Sequence, residues 1–432
     1  MFHGLKKAGL ILILATPSLV LAEVVVYVTK PGADASPIAV VPFSWLGTDR
    51  TLKITDVVSA DLTRTGRFTS LPEDQMLQKP NRGAAIDFSD WRILDIETIV
   101  VGQVRAATKD RLNIRFWVYD VFSRELLLGY QLTAPMNNLR RTAHQISDLI
   151  YEKLTGVQGI AATQIAYINV QGSINNRKYK LYVSDSDGLN ERLLLESSKS
   201  IMSPAWSPDG RKLAYVSFES DHSEIWVQEL RSGARQRISA RAGINSAPAW
   251  SPDGKRLAMA LSKSDGNLEI YIQDIATSMP TRLTFASSID TEPNWSSDGK
   301  TIYFTSDRSG SPQVYKVSAS GGKAKRVTFE GSYNARPRVS PDGNKIAVVH
   351  NVRSNYRIAV VDVDRSYTQV ITEGALDESP SFAPNGETII YATRDGENGW
   401  LSTVSADGRF SQRLSAVKGE IREPAWSPFL TR

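Results

Sequence analysis

The sequence predicts a two-domain protein: an N-terminal α/β domain, with a mixed sheet and two main helices, followed by an all-β six-bladed β-propeller. Two observations carry this prediction. A seven-residue pattern built on Pro-Ala-Trp-Ser-Pro-Asp-Gly returns at a near-constant interval through the second part of the chain, and the first part lacks it and shows helical periodicity instead. A third observation, an incomplete unit at each end of the repeat region, predicts that the ring is closed by the C-terminal strand.

The repeat begins at Pro204 (PAWSPDG) and returns at Pro248 (PAWSPDG), Pro293 (PNWSSDG), Pro337 (PRVSPDG), Pro380 (PSFAPNG) and, cut short, Pro424 (PAWSP). Successive leading prolines lie 44, 45, 44, 43 and 44 residues apart. Ser-Pro-Asp-Gly suits a type I turn, with Pro fixing φ at the second corner and Gly closing it. A β-rich run follows each turn: 212–218, 256–261, 301–305, 345–350 and 388–393. A third strand comes next, such as 224–230, 268–275 or 313–317, then a short outer run such as 237–239, 282–284, 326–328 or 413–415. Four short antiparallel strands every 40–45 residues are the pattern of a propeller blade. Trp206, Trp250, Trp295, Val339, Phe382 and Trp426 hold one register position and are read as inter-blade core. Plain apolar residues serve at all six, which disfavours a sugar-stacking role.

Before the first full copy stand three strands, 164–170, 178–184 and 192–195, and after the last copy stands only the leading strand 424–428. Placing the tail strand in the first blade completes six blades over residues 163–432 and hides an open strand edge.

The α/β domain is assigned to residues 35–156. PIAVVPF (37–43) reads as a buried strand, and 51–66 as a helix with Ile54, Val57, Val58 and Leu62 on one stripe and Gly66 as its stop. Residues 72–85 read as a loop. Residues 98–104, 113–120 and 125–133 read as strands, and 139–154 as an amphipathic helix. His144 sits beside its apolar stripe and is read as partly buried and structural. Residues 157–162 link the domains. The segment 23–34 begins with EVVVYVT, strongly β-prone, for which two readings stand: a first strand of the domain, or a segment that adds to a partner.

Composition excludes several chemistries. With no Cys there is no disulfide framework, thiolate metal site or cysteine nucleophile, and four His make a His-rich metal centre a poor reading. Lys and Arg are dispersed at a formal charge of +5, so nucleic acid is not an expected partner. No nucleophile elbow, P-loop or dinucleotide turn occurs. Asp185-Ser186-Asp187-Gly188 lacks the ligand spacing of a calcium loop and reads as a hairpin turn. Carboxylates that recur at equivalent turns, such as Asp209 and Asp253, read as structural, since a catalytic pair would be unique. The chain is expected to be no enzyme and to need no cofactor or metal.

Residues 1–22 combine Lys6 and Lys7, a short apolar stretch and Val20-Leu21-Ala22, the layout of a cleaved secretory signal. The stretch is short of the ~20 residues needed to span a bilayer. An exported chain without Cys is compatible with a bacterial periplasm.

A signal peptide, a small α/β domain, PAWSPDG-type repeats and a final PAWSP strand, together with PIAVVPFSW (37–45), VVGQV (100–104), YEKLTG (151–156), residues 202–219 and SPQVYKV (311–317), closely resemble the TolB family of the Tol–Pal system. The resemblance covers nearly the whole chain. It implies a periplasmic scaffold that binds the lipoprotein Pal at one propeller mouth and TolA through its mature N-terminus, acting in outer-membrane constriction during cell division. It also implies that colicins and other outer-membrane lipoproteins are further partners. Carried onto this sequence, the TolA segment is Glu23, Val24, Val25, Val26, Tyr27, Val28 and Thr29. The Pal positions, placed in the loops before each repeat proline, are Met202, Ser203, Asn245, Ala247, Thr291, Glu292, Arg336, Asp377, Glu378 and Glu423. Ile244 stands where the family pattern leads one to expect a polar contact. Two rival readings remain: a propeller that binds peptidoglycan or another carbohydrate directly, and a propeller hydrolase.

Overall fold

The computed structural model describes residues 27–30, 35–46, 54–173, 175–262, 266–277, 279–365, 367–395, 398–414 and 419–430. The leader and Glu23–Val26 lie outside these residues. Among the described residues no helix is long and apolar enough to cross a membrane.

The N-terminal domain is a mixed sheet in the order Phe68–Ser70, Ser36–Val40, Thr98–Thr108, Arg111–Asp120, Leu126–Pro135, with Ser44–Leu46 pairing alongside the long third strand. Ser36–Val40 runs parallel to both neighbours. Both faces of the sheet are covered where Thr98–Thr108 begins, and its first five residues are buried in succession, as expected of a doubly covered strand, while Arg111–Asp120 alternates buried and less buried positions. Ile38, Val40, Val100 and Val104 meet helices α1 (Ile54–Arg64) and α3 (Leu139–Thr155). Ala39, Val41, Ile99 and Val101 meet Trp91 of the opposite layer. Trp91 belongs to a short helix α2 (Phe88–Ile93), capped by Asp87 accepting from the Ser89 N–H at 3.0 Å. Gly156, at φ 75°, stops α3 by donating to the Glu152 carbonyl.

Six four-stranded antiparallel units follow, numbered here as blades 1 to 6. Blade 1 joins Glu420–Trp426 to Gln164–Gln171, Lys178–Asp185 and Arg192–Ser197, so the tail strand closes the ring as the sequence predicts. The innermost strands of blades 2 to 6 are Ile201–Trp206, Asn245–Trp250, Asp290–Trp295, Asn334–Val339 and Asp377–Phe382. The Ser-Pro-Asp-Gly turns are pinned by side chains: in blade 2, Asp209 accepts from Ser207 Oγ at 2.6 Å and from the Arg211 N–H at 3.0 Å. The register tryptophans pack between blades and donate from Nε1 to the neighbouring blade: Trp206 to the Ala425 carbonyl, Trp250 to that of Ala205, Trp295 to that of Ala249.

The strand at Tyr27–Lys30 corrects one expectation. It is not part of the N-terminal domain's sheet but pairs antiparallel with Ser411–Arg413, becoming a fifth, outermost strand of blade 6. An unpaired blade edge offers a row of main-chain donors and acceptors, and this β-prone segment meets one there. The region 72–85, expected to be a loop, carries two short 3-10 turns at Glu73–Gln75 and Gly83–Ala85.

Candidate functional site

The residue just before each repeat proline has a left-handed backbone: Ser203, Ala247, Glu292, Arg336, Ser379 and Glu423, with φ between 49° and 56°. At every one the pairing of the innermost strand slips, so the strand bulges. Such a conformation costs a non-glycine residue ~1 kcal/mol or more, and strain of this kind gathers at functional sites. Six of six blades carry it. The positions expected to meet Pal, placed in loops by the sequence, therefore stand inside the innermost strands, and those just before the prolines lie on the bulges.

These bulge residues join into one network. The Arg336 main-chain N–H donates to Glu292 Oε2 at 2.9 Å and its Nε to Glu292 Oε1 at 2.7 Å. Its Nη1 donates to Ser379 Oγ, and its Nη2 lies 3.4 Å from Glu423 Oε1. Glu423 in turn accepts from the Ser203 N–H. Blades 1, 2, 4, 5 and 6 are thus linked across the mouth, with Ala247 the sixth position. Burial opposes the Arg336 charge, but the carboxylates of Glu423, Glu292 and Glu378 outweigh it and hold the guanidinium above its ordinary range. Beside it, a cavity of about 330 Å³ opens between blades 6 and 1, lined by Met202, Arg336, Glu378, Arg394, Arg422 and Glu423 among others.

The predicted residues do not all reach this surface. Met202 is exposed, and Thr291 and Glu378 are half-buried. Asn245 and Asp377 are closed off, at 0% and 1% exposure. Asn245 Oδ1 accepts from Ser239 Oγ at 2.6 Å and its Nδ2 donates to the Ser223 and Arg241 carbonyls. Asp377 accepts from Thr393 Oγ1 at 2.5 Å and from the Gly374 N–H at 3.1 Å. Asp377 pegs the start of its inner strand to its own blade, as Asp290 does through Arg308, whereas Asn245 ties its strand to blade 2 and Asn334 ties its strand to blade 4 through Gln313. Ile244 is exposed on the rim. Ser379, Arg394, Glu420 and Arg422 were not foreseen; Ser379 was legible, since it precedes a repeat proline like the other five.

A second charged cluster lies where the domains meet. His144, expected to be partly buried, is fully buried, and its Nδ1 lies 2.7 Å from Asp61 Oδ2. Asp61 also accepts from Ser147 Oγ at 2.7 Å and Arg64 Nη1 at 2.6 Å. From blade 1, the 185–188 hairpin turn brings Asp185, 3.1 Å from Arg140 Nε, and Asp187, which pairs with Arg140 and lies 3.6 Å from Arg64. Burial would push the imidazole down, but Asp61, Asp185 and Asp187 outweigh it and raise it to about 10. Burial also opposes the Asp61 charge, yet His144 and Arg64 hold that carboxyl below its usual range. Asp61, His144 and Asp187 present ligand-type atoms within 4.8 Å of one another. Arg64 and Arg140 already supply the positive charge a metal ion would bring, so the cluster is an ion-pair joint between the domains.

Blade 6 is shared by three features. Glu378 and Ser379 stand on its innermost strand, and Tyr27–Lys30 pairs with its outermost strand. Gln412 Nε2 of that outer strand donates to the Arg64 carbonyl of α1 at 3.0 Å. Glu387, in its first turn, accepts from Tyr151 Oη at 2.5 Å and lies 3.2 Å from Arg67.

Comparison with known proteins agrees with this architecture. The family model for the TolB amino-terminal domain matches residues 24–127, and that for the TolB beta propeller domain matches residues 151–430. The Tol-Pal system protein TolB of Xanthomonas campestris pv. campestris is 49% identical over 403 residues, covering 92% of each chain. That of Xanthomonas oryzae pv. oryzae is 48% identical over the same length. The crystal structure of TolB from Acinetobacter baumannii superposes with a TM-score of 0.86 at 42% identity, covering 93% of this chain and 99% of that one. Sequence, sheet order and ring closure agree: the chain belongs to the TolB family.

Proposed function

We propose that the chain is a non-enzymatic periplasmic coupling protein of the Tol–Pal system. It takes Pal at the propeller mouth and offers TolA its N-terminal segment, Glu23–Thr29, during outer-membrane constriction. The observation that carries this reading is the sharing of blade 6: mouth residues occupy its innermost strand while the N-terminal strand occupies its outermost. Occupancy of the mouth shifts how firmly that strand is held only if Pal binds the docked and released states unequally. The mouth suits a protein ligand, because its charges are already paired into a rigid platform rather than arranged as an acid and a base. The accessible Pal contacts are Met202, Ser203, Ala247, Thr291, Glu292, Arg336, Glu378 and Glu423; buried Ser379 supports Arg336 from beneath, Asp377 holds its own blade, and Asn245 ties its strand to blade 2.

Titrating the TolA-side partner onto the protein with and without Pal tests the coupling. Different affinities are expected, and equal ones reject it. Direct binding of peptidoglycan, the rival reading, predicts retention on purified sacculi when Pal is absent. Turnover of a hydrolase substrate panel would remove the non-enzymatic reading.

A further inference from the structure

Two of the segments that join one blade to the next repeat a local device. Arg282-Leu283-Thr284-Phe285 leads from blade 3 toward blade 4, and Arg326-Val327-Thr328-Phe329 from blade 4 toward blade 5. In both, the apolar second residue is buried and the threonine hydroxyl bonds inward, Thr284 Oγ1 to Glu269 Oε2 at 2.5 Å and Thr328 Oγ1 to Gln313 Oε1 at 2.8 Å. Each arginine Nε then donates to the threonine carbonyl, at 2.8 Å from Arg282 and 2.6 Å from Arg326. That bond sets the guanidinium carbon 4.7 Å from the Phe285 ring centre and 5.3 Å from that of Phe329. The rings are braced, yet they face water: Phe285 is 76% exposed and Phe329 61%. The fold does not call for them, because the same position holds Ala240 after blade 2 and Glu373 after blade 5.

Connectivity puts both rings on the mouth side. Each innermost strand carries its bulge ahead of the repeat proline and ends in its Ser-Pro-Asp-Gly-type turn. The turn of blade 6 meets the N-terminal domain, Asn385 Nδ2 donating to the Gln158 carbonyl and Glu387 accepting from Tyr151. Connecting segments enter the strands at the opposite end, so Phe285 and Phe329 lie away from that domain. Phe285 shares its segment with exposed Ile289, three residues ahead of Glu292, and residues 283–289 carry no charge. Apolar residues scattered singly on a surface need no explanation, but a duplicated and braced pair continuous with the mouth does. Rings fixed before a partner arrives lose little freedom on contact, which favours tight docking. We infer that Phe285 and Phe329 form a second contact area for the protein taken at the mouth, and that they fix how it is turned about the axis. Six similar blades offer six similar rotations, and an apolar zone confined to blades 3 to 5 selects one. The inference rests on the reading of the mouth as a docking platform, and it requires an apolar surface on the partner beside the part that covers the mouth.

The experiment measures Pal binding to the full mature chain by calorimetry, for wild type, Phe285→Ala, Phe329→Ala and the double variant. The double variant should bind about tenfold or more weakly, the scale of losing aromatic anchors, chiefly through faster dissociation. Thermal midpoints should hold, since other blades place Ala or Glu at this position. Should a variant unfold, wild-type hydrogen exchange decides, and it is expected to slow at residues 285–289 and 329–333 when Pal is added. Pal affinity left unchanged by the double substitution, or exchange in these segments that ignores Pal, overturns the inference while the proposed function stands. Wild-type binding to phosphatidylethanolamine–phosphatidylglycerol vesicles that F285A/F329A loses, with Pal affinity intact, assigns the rings to a membrane and overturns it too. A wild type that takes no Pal at all removes the proposed function, and this inference with it.

Discussion

At the scale of single residues, Arg336 and Asp377 teach opposite lessons about what a mouth residue does. Arg336 gathers carboxylates from two other blades while water still touches it. Replacing Glu423 by Ala leaves Arg336 with one carboxylate fewer and removes the acceptor of the Ser203 N–H. The expected loss is about 1–3 kcal/mol, read from the urea midpoint. Asp377 is sealed within its blade, so Asp377→Ala should destabilise on a similar scale, by leaving the Thr393 hydroxyl and the Gly374 N–H without their acceptor. Glu378→Lys, next door but half-buried, is expected to leave the urea midpoint nearly unchanged and weaken capture of Pal in a pull-down. If both variants lost stability equally, the division between peg and platform would be wrong. Sequence alone placed the two side by side as contacts. It could not separate them, because burial at neighbouring strand positions depends on which face each presents, and the bulge before the proline resets that alternation.

At the scale of elements, the repeat made the propeller legible and the leading prolines fixed its register. Pro-X-Trp-Ser-Pro-Asp-Gly specifies a strand, a turn and a packing side chain in seven residues, so even the borrowed closing strand could be read. The N-terminal domain was legible in its long members: the two main helices and three strands lie close to where periodicity put them. Its short pieces, Ser44–Leu46, Phe68–Ser70 and α2, were not foreseen, since three to six residues are too few to show a period. The strand at Tyr27–Lys30 could be recognised as β-prone but not placed, because its partner lies almost 400 residues away. Deleting residues 23–30 should leave the thermal midpoint within a few degrees and speed amide exchange at residues 411–413, measured by mass spectrometry. Unchanged exchange there would mean that the strand is not docked in solution.

At the scale of the whole molecule, the ion-pair joint between the two domains, built on His144, Asp61, Arg64, Arg140, Asp185 and Asp187, has a pH signature. The folded His144 pKa of about 10 stands above its ordinary 6.5. A raised pKa means that the folded state binds the proton more tightly, so the contribution is complete below pH 6.5 and lost as pH rises to about 10. Thermal midpoints should therefore fall from pH 7 to 10, and His144→Gln should start lower and show a flatter profile. An identical slope in wild type and variant would show that another group governs the alkaline loss. Asp148 adds a neighbouring effect: burial raises its carboxyl to about 7, although the N–H groups of Ala161 and Ala162 pull it the other way by donating to it. Its contribution declines between its ordinary 3.8 and about 7, so it leaves the alkaline window to His144.

The seam in blade 1 also dictates an order of assembly. A ribosome delivers this chain from its first residue, yet the inner edge of blade 1 meets its mate only when Glu420–Trp426 emerges, and the leading strand finds Ser411–Arg413 only a few residues earlier. The leading strand waits through nearly all of synthesis, and the inner edge of blade 1 through more than half of it, without its intended neighbour. A nascent chain of this design is thus most exposed to mispairing just before completion, and a holding factor would be needed for its earliest strands rather than its latest.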